Sequence, residues 1–176
     1  TTISWSFKSE YNPFLMASKL FIGSFDFHEM QKGYPNIFVG SLALFSFLCY
    51  FKEKKIALSQ RLYALHITII LLISFNIEMF DKLWHVGQLP NWYSYRFSFL
   101  FSFWMVFLGY QWALKKTTVG IRETFVYFFL ALGAGIGFIL FPQDYLQGWQ
   151  IALGFGLSMG ILYSLILIGR GKRAYH

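Results

Sequence analysis

The residues able to do chemistry gather in one short stretch, FNIEMFDKLWHVGQLPNWYSYRFSF, residues 75–99. If the apolar helix before it continues, Glu78, Asp81, Lys82 and His85 recur at spacings of three and four and share one helical face. Asp81 and His85 then form an acid–base couple, with Glu78 beside them as a third candidate catalytic group. Two carboxylates and an imidazole also match the donors of a divalent cation, but this spacing is common by chance and no metal is assigned. The plain structural alternative is a solvated, salt-bridged helix end.

Arg96 is the most specific residue in the sequence. It follows Trp92, Tyr93 and Tyr95 at the start of a long apolar run. A guanidinium is a planar fork that grips phosphate oxygens in bidentate fashion, so Arg96 is a candidate phosphate-binding group. The alternative is an aromatic belt of Trp92, Tyr93 and Tyr95 with a snorkelling arginine. A weaker polar set, Lys19 and Lys32 with Asp26, His28 and Glu29, stands before the first apolar run; Lys19 is its candidate phosphate ligand, and solvated loop charges are the alternative.

The elements that must position these groups follow from composition. The 176 residues are 56% hydrophobic and 13% charged, against about 25% charged in ordinary soluble domains, so the chain cannot cover itself in polar surface. Its net charge of +7 sits in short loops between apolar runs, which fits membrane topology and anionic head groups better than nucleic acid. Cys49, the single cysteine, lies inside an apolar run and forms no internal disulfide. With Thr1, Thr2 and Ile3 at its start and no leader pattern, the chain reads as a piece of a longer protein.

Five stretches approach the roughly 20 apolar residues of a spanning helix: Tyr34–Phe51, Leu62–Ile77, Phe97–Leu114, Thr124–Phe141 and Trp149–Ile168. The fold class is therefore all-α, a polytopic membrane bundle of about five spans over residues 34–176. The second span is expected to extend through His85, since no helix breaker precedes Gly87. Lys52, Lys54, Lys55 and Arg61, then Lys115, Lys116 and Arg122, then Arg170, Lys172 and Arg173 account for 10 of the 15 basic residues and fall on one side. The positive-inside rule makes that side cytoplasmic, with the N-terminus outside and the C-terminus in the cytoplasm. Residues 1–33 form an extracytoplasmic segment, in which Asn12 is placed to cap a short interfacial helix from Pro13 to before Gly23; a loop ordered by neighbouring domains is the alternative. Gly133 with Gly137 and Gly156 with Gly160, each four apart, have the spacing that lets membrane helices pack closely.

The spans carry nothing more polar in their middles than Ser46, Thr68, Ser102 and Ser158, with His66 near one boundary. Proton relays and voltage sensors need ionisable groups at that depth, which places any chemistry at the outer face.

The runs NPFLMASKLFIGSF, GYPNIFVGSLALFSFLCYF with KEKKI behind it, and WHVGQLPNWYSYRFSFLFSF resemble the YfhO family of large bacterial multispanning membrane proteins. The likeness covers roughly Tyr11 to Lys116 and is most specific in PNWYSYRFSFLFSF, where this chain has Ser94 at a position the family often fills with Pro; the last two spans match in hydropathy alone. The resemblance implies a glycosyltransferase of the bacterial cell membrane. Such an enzyme moves a sugar from a polyprenyl-phosphate carrier to a cell-surface polymer such as teichoic acid, with the usual catalytic carboxylate in a first outer loop outside this chain. The implied partners are membrane lipids, the polyprenyl-phosphate-linked sugar and the polymer acceptor; no cofactor is indicated. Two other readings compete: a non-enzymatic exporter or flippase of lipid-linked substrates, and a structural membrane subunit sensitive to enlargement of Gly156.

Overall fold

The computed structural model describes residues 6–88, 92–115 and 119–174, so Lys116 lies outside the described residues, as do the side chains of Arg170, Lys172 and Arg173. The described residues form a 3-10 helix (Pro13–Leu20) and seven α-helices: α1 (Phe27–Lys32), α2 (Ser41–Tyr50), α3 (Leu58–Ser74), α4 (Glu78–Trp84), α5 (Ser98–Lys115), α6 (Ile121–Leu140) and α7 (Gly148–Ala174). The described residues contain no β-strand, only isolated bridges. Their architecture is all-helical.

Among the described residues, two helices are long and apolar enough to cross a bilayer: α6 over Arg122–Leu140, mean hydropathy 1.8, and α7 over Gly148–Leu167, mean hydropathy 1.7. Only 11% and 22% of these stretches are buried, and Phe125, Phe129, Ile139 and Leu153 point outward. Apolar surface on this scale marks a face made for a membrane or for further protein. The apolar helices α3, 17 residues, and α2, 10 residues, are shorter.

Two expected spans differ in structure. Tyr34–Gly40 is not helical, and α2 begins only at Ser41, after Gly40 turns the chain at φ 78°. Pro35 supplies no N–H and disfavours helix before it, and the Asn36 side chain takes the Phe38 N–H at 3.3 Å. The second helix does not run on to His85: it stops at Ser74, and α4 restarts at Glu78. The cause is the N-terminal segment, which lies along residues 76–79. Glu10 N–H donates to the Asn76 carbonyl at 2.8 Å, Glu78 N–H to Lys8 at 3.2 Å and Met79 N–H to Ser6 at 3.1 Å. The Asn76 amide donates to Tyr11 at 2.6 Å and its carbonyl oxygen accepts from Ser9 at 2.8 Å.

The interior is aromatic. Phe45 meets Trp112 and Tyr127 edge-on at 5.6 and 5.1 Å, and Trp104 Nε1 donates to Thr68 at 3.0 Å, tying α5 to α3. Close helix packing falls on Gly109, where a Cβ would meet Ser46 Cβ at 3.1 Å and the Ala43 carbonyl at 3.2 Å. At Gly133, Gly137, Gly156 and Gly160 a Cβ would meet nothing within 4 Å; their spacing sets up no close contact among the described residues.

The polar segments sort to two ends. Residues 6–34, 75–88, 92–97 and 141–147 meet at one, here the capped end: Tyr145 touches Ser18 and Tyr34, and Tyr95 touches Glu10. At the other, basic end, Arg61 donates to the Phe51 carbonyl at 3.1 Å, and Lys52 and Glu123 line one small recess.

Candidate functional site

The site is built on the stitch between the N-terminal segment and α4. Because α4 spans Glu78–Trp84, the expected one-face arrangement survives the break in the long helix. Lys82 Nζ bonds Glu78 Oε1 at 2.6 Å, one turn apart. His85 Nδ1 lies 2.9 Å from the Asp81 backbone carbonyl and 3.3 Å from Asp81 Oδ1. A carbonyl only accepts, so this bond places the proton of the neutral imidazole on Nδ1 and leaves Nε2 with a lone pair. His85 Nε2 and Asp81 Oδ1 are both buried without a hydrogen-bond partner. Unpaired buried polar atoms of this kind cost stability and call for an explanation.

Glu10 completes the cluster from the N-terminal side. Its Oε2 accepts the Tyr95 phenol proton at 2.5 Å, and its charge acts on Asp81. Burial raises the Asp81 carboxyl to about 7, with Glu10 adding to the shift. Burial likewise pushes Glu10 above the usual carboxylate range, against the Tyr95 hydrogen bond, while Glu78 adds to the rise and Lys82 and His85 oppose it. The Tyr95 and Tyr11 phenols are raised for the same reason, first burial and then neighbouring negative charge. The result is a pair of carboxyls, Glu10 and Asp81, both raised above the ordinary range, with His85 beside them.

Around it, Phe97 stacks between Phe75 and Trp84, each at 5.0 Å, and meets His85 at 5.8 Å. Arg96, between Tyr95 and Phe97, is exposed and donates through Nη2 to the Trp92 carbonyl at 3.1 Å and through Nε to the Tyr93 carbonyl at 3.4 Å. Both bonds hold the guanidinium against the backbone of residues 92–93. Tyr93 and Val86 adopt left-handed backbone, φ 55° and 57°, a strained choice for β-branched Val86 next to His85.

Lys19 belongs to a second cluster. Read as a candidate phosphate ligand, with a solvated loop charge as the alternative, it is fully buried, because the 3-10 helix capped by Asn12 turns it inward. Its ammonium donates to the Ser24 carbonyl at 2.6 Å and to Glu29 at 2.5 Å, and lies 3.5 Å from the Tyr145 ring centroid. Burial lowers the Lys19 pKa, against Glu29 and Asp26, and raises the Tyr145 phenol to about 12. Tyr34 contacts both Tyr145 and Tyr11, and Tyr11 contacts Tyr95, so a run of tyrosines joins the two clusters. Lys32 and His28 are exposed.

Among the described residues, no three His, Cys, Asp or Glu side chains come together as a metal site. Sequence reasoning did not find Glu10, Tyr11, Asn76 or Tyr145. The only available signal was that Glu10 and Tyr11 stand in a segment assigned to the same side as Asp81.

No curated protein and no solved structure matches the chain. A family model described as the bacterial membrane protein YfhO matches residues 1–175, extending past the Tyr11–Lys116 likeness into α6 and α7. With the match spanning nearly the whole sequence, the chain belongs to the YfhO family of bacterial membrane proteins.

Proposed function

We propose that this chain is part of an integral membrane glycosyltransferase that moves a sugar from a polyprenyl-phosphate carrier to a cell-surface polymer such as teichoic acid. In this reading α2, α3, α5, α6 and α7 are five membrane-traversing elements, residues 1–33 are extracytoplasmic, the capped end faces outward and the C-terminus is cytoplasmic. The observation that carries it is the gathering of Glu10, Asp81 and His85 at one end, where Asp81 Oδ1 and His85 Nε2 are buried without a hydrogen bond, beside the exposed Arg96. Asp81, Glu78 and His85 position the acceptor hydroxyl and take up its proton. Arg96 binds the carrier phosphate, and Trp92, Tyr93 and Tyr95 hold its depth at the head groups. Lys19, enclosed by Glu29, supplies a second positive charge that reaches phosphate by exchanging that partner.

The flippase reading asks for a polar track through the bundle; the buried side chains at mid-depth are dominated by Phe45, Phe101, Met105 and Leu108. The test is Arg96→Ala in the full-length protein, with wall-polymer glycosylation measured beside the amount of protein in the membrane. Glycosylation falls to background at unchanged membrane level if Arg96 clamps the phosphate; unchanged glycosylation rejects the clamp. Release of a labelled polyprenyl-phosphate sugar across vesicles without acceptor separates transport from transfer.

A further inference from the structure

Away from the polar clusters, a cavity of about 510 Å³ lies between α2, α6 and α7, within the range of small-molecule sites. Its walls are small or apolar: Ala131 and Ala134 on α6, Gly154 and Ile161 on α7, Leu44 and Leu48 on α2. The 3-10 helix roofs it at the capped end through Ala17, Leu20 and Phe21. That roof is fastened to α7, since Gln150 donates to the Gly23 carbonyl at 2.6 Å and a Cβ on Gly154 would meet the Phe21 ring at 3.3 Å. Phe21 also meets Phe138 of α6 edge-on at 5.8 Å.

The mouth opens sideways. Phe38, Leu42, Leu130 and Leu157 line the cavity and are 40–56% exposed, and Phe125, Phe129 and Leu153, outward on α6 and α7, are apolar too. What reaches this mouth in a membrane is hydrocarbon. Water does not fill an apolar cavity of this kind. A spanning helix needs about 30 Å of free path, whereas the groove follows α2 for only Gly40–Leu48, about 12 Å at 1.5 Å per residue, beneath a closed roof.

The non-helical stretch Phe38–Gly40 forms part of the lining. Unwound backbone at membrane depth persists only when it is enclosed by protein or borders a cavity, and this stretch borders one. The broken first span and the cavity are therefore one feature.

We propose that this groove seats one hydrocarbon chain of a membrane lipid, inserted laterally from the bilayer between α2 and α6–α7 with its head group near the roof. The proposal rests on the membrane setting of the family and on the groove, not on the transferase reading, and either stands if the other fails.

The test uses the full-length protein in cells whose lipids carry a photoactivatable diazirine acyl chain, with adducts mapped by mass spectrometry after purification. Adducts concentrate on Ala131–Ala134 and Leu157–Ile161. Ala134→Trp, which fills the groove, lowers them at least tenfold relative to adducts on outward-facing Phe125 and Phe129 in the same sample. Ala134→Leu, a milder filling, gives an intermediate loss and guards against a misfolded tryptophan variant. Groove adducts no more frequent than those on Phe125 and Phe129, or unchanged in both variants, overturn the proposal. So does a disulfide from cysteine at position 134 to another helix of the full-length chain, which makes a protein segment the occupant.

Discussion

The Tyr95 phenol donates to Glu10 Oε2 at 2.5 Å, across 85 residues of sequence. This bond ties the N-terminal segment to the start of α5 and holds Glu10 within electrostatic reach of Asp81. Tyr95→Phe removes it, at a cost of about 0.5–1.5 kcal/mol for an exposed hydrogen bond. Because the bond holds the Glu10 pKa down, its loss moves Glu10 protonation to higher pH. Thermal unfolding in detergent reads the first effect, and carboxyl infrared absorbance across pH reads the second.

Asp81 makes stability depend on pH. Its folded pKa is about 7 against an ordinary 3.8, so between these values the folded state binds more protons than the unfolded one. Stability then falls as pH rises from about 4 to about 7 and is flat beyond. Glu10, raised as well, adds a loss of the same sign. Asp81→Asn removes most of the slope, so wild type and variant differ least near pH 4 and most at pH 7 and above, with the variant the more stable. Melting temperatures at half-unit pH intervals check this; a wild-type protein that gains stability across the same window contradicts it.

Buried Lys19 forms an ion pair with partly exposed Glu29. Lys19→Met leaves the Glu29 carboxylate without its cation and costs about 3–5 kcal/mol, whereas Lys19→Met with Glu29→Gln recovers much of the loss. Melting of both single variants and the double variant measures the coupling.

Enlarging glycines separates packed from unpacked positions. Gly109→Leu drives a side chain into Ser46 and Ala43 and destabilises by about 1–3 kcal/mol or more. Gly156→Leu and Gly160→Leu meet open space and leave the melting temperature of this chain within about a degree. The structural-subunit reading requires sensitivity at Gly156, so activity of the full-length Gly156→Leu protein discriminates between the two.

The helical class and the sorting of polar loops to two ends were legible because both depend on composition and on charge counted along the chain. The one-turn spacing of Glu78, Asp81, Lys82 and His85 was legible for the same reason, and α4 realises it. The break at residues 75–77 was not, since it comes from hydrogen bonds to Ser6–Tyr11, about 65 residues away, and local propensity carries no record of such a partner. Lys19 was misplaced because a lysine beside a serine reads as solvated; Glu29 and Tyr145, which enclose it, come from two other segments. Gly109 carries the close contact although no partner glycine stands four residues away, because its neighbour is the α2 backbone.

A transferase working at the outer face requires the capped end to face outward. The direct measurement is labelling of whole cells with a membrane-impermeant maleimide, using full-length protein in which Cys49, buried in α2, is replaced by alanine and single cysteines stand at position 94 or 54. Ser94→Cys labels in intact cells, and Lys54→Cys labels only after permeabilisation. The reverse pattern puts Arg96 and Asp81 in the cytosol and contradicts a transferase working at the outer face.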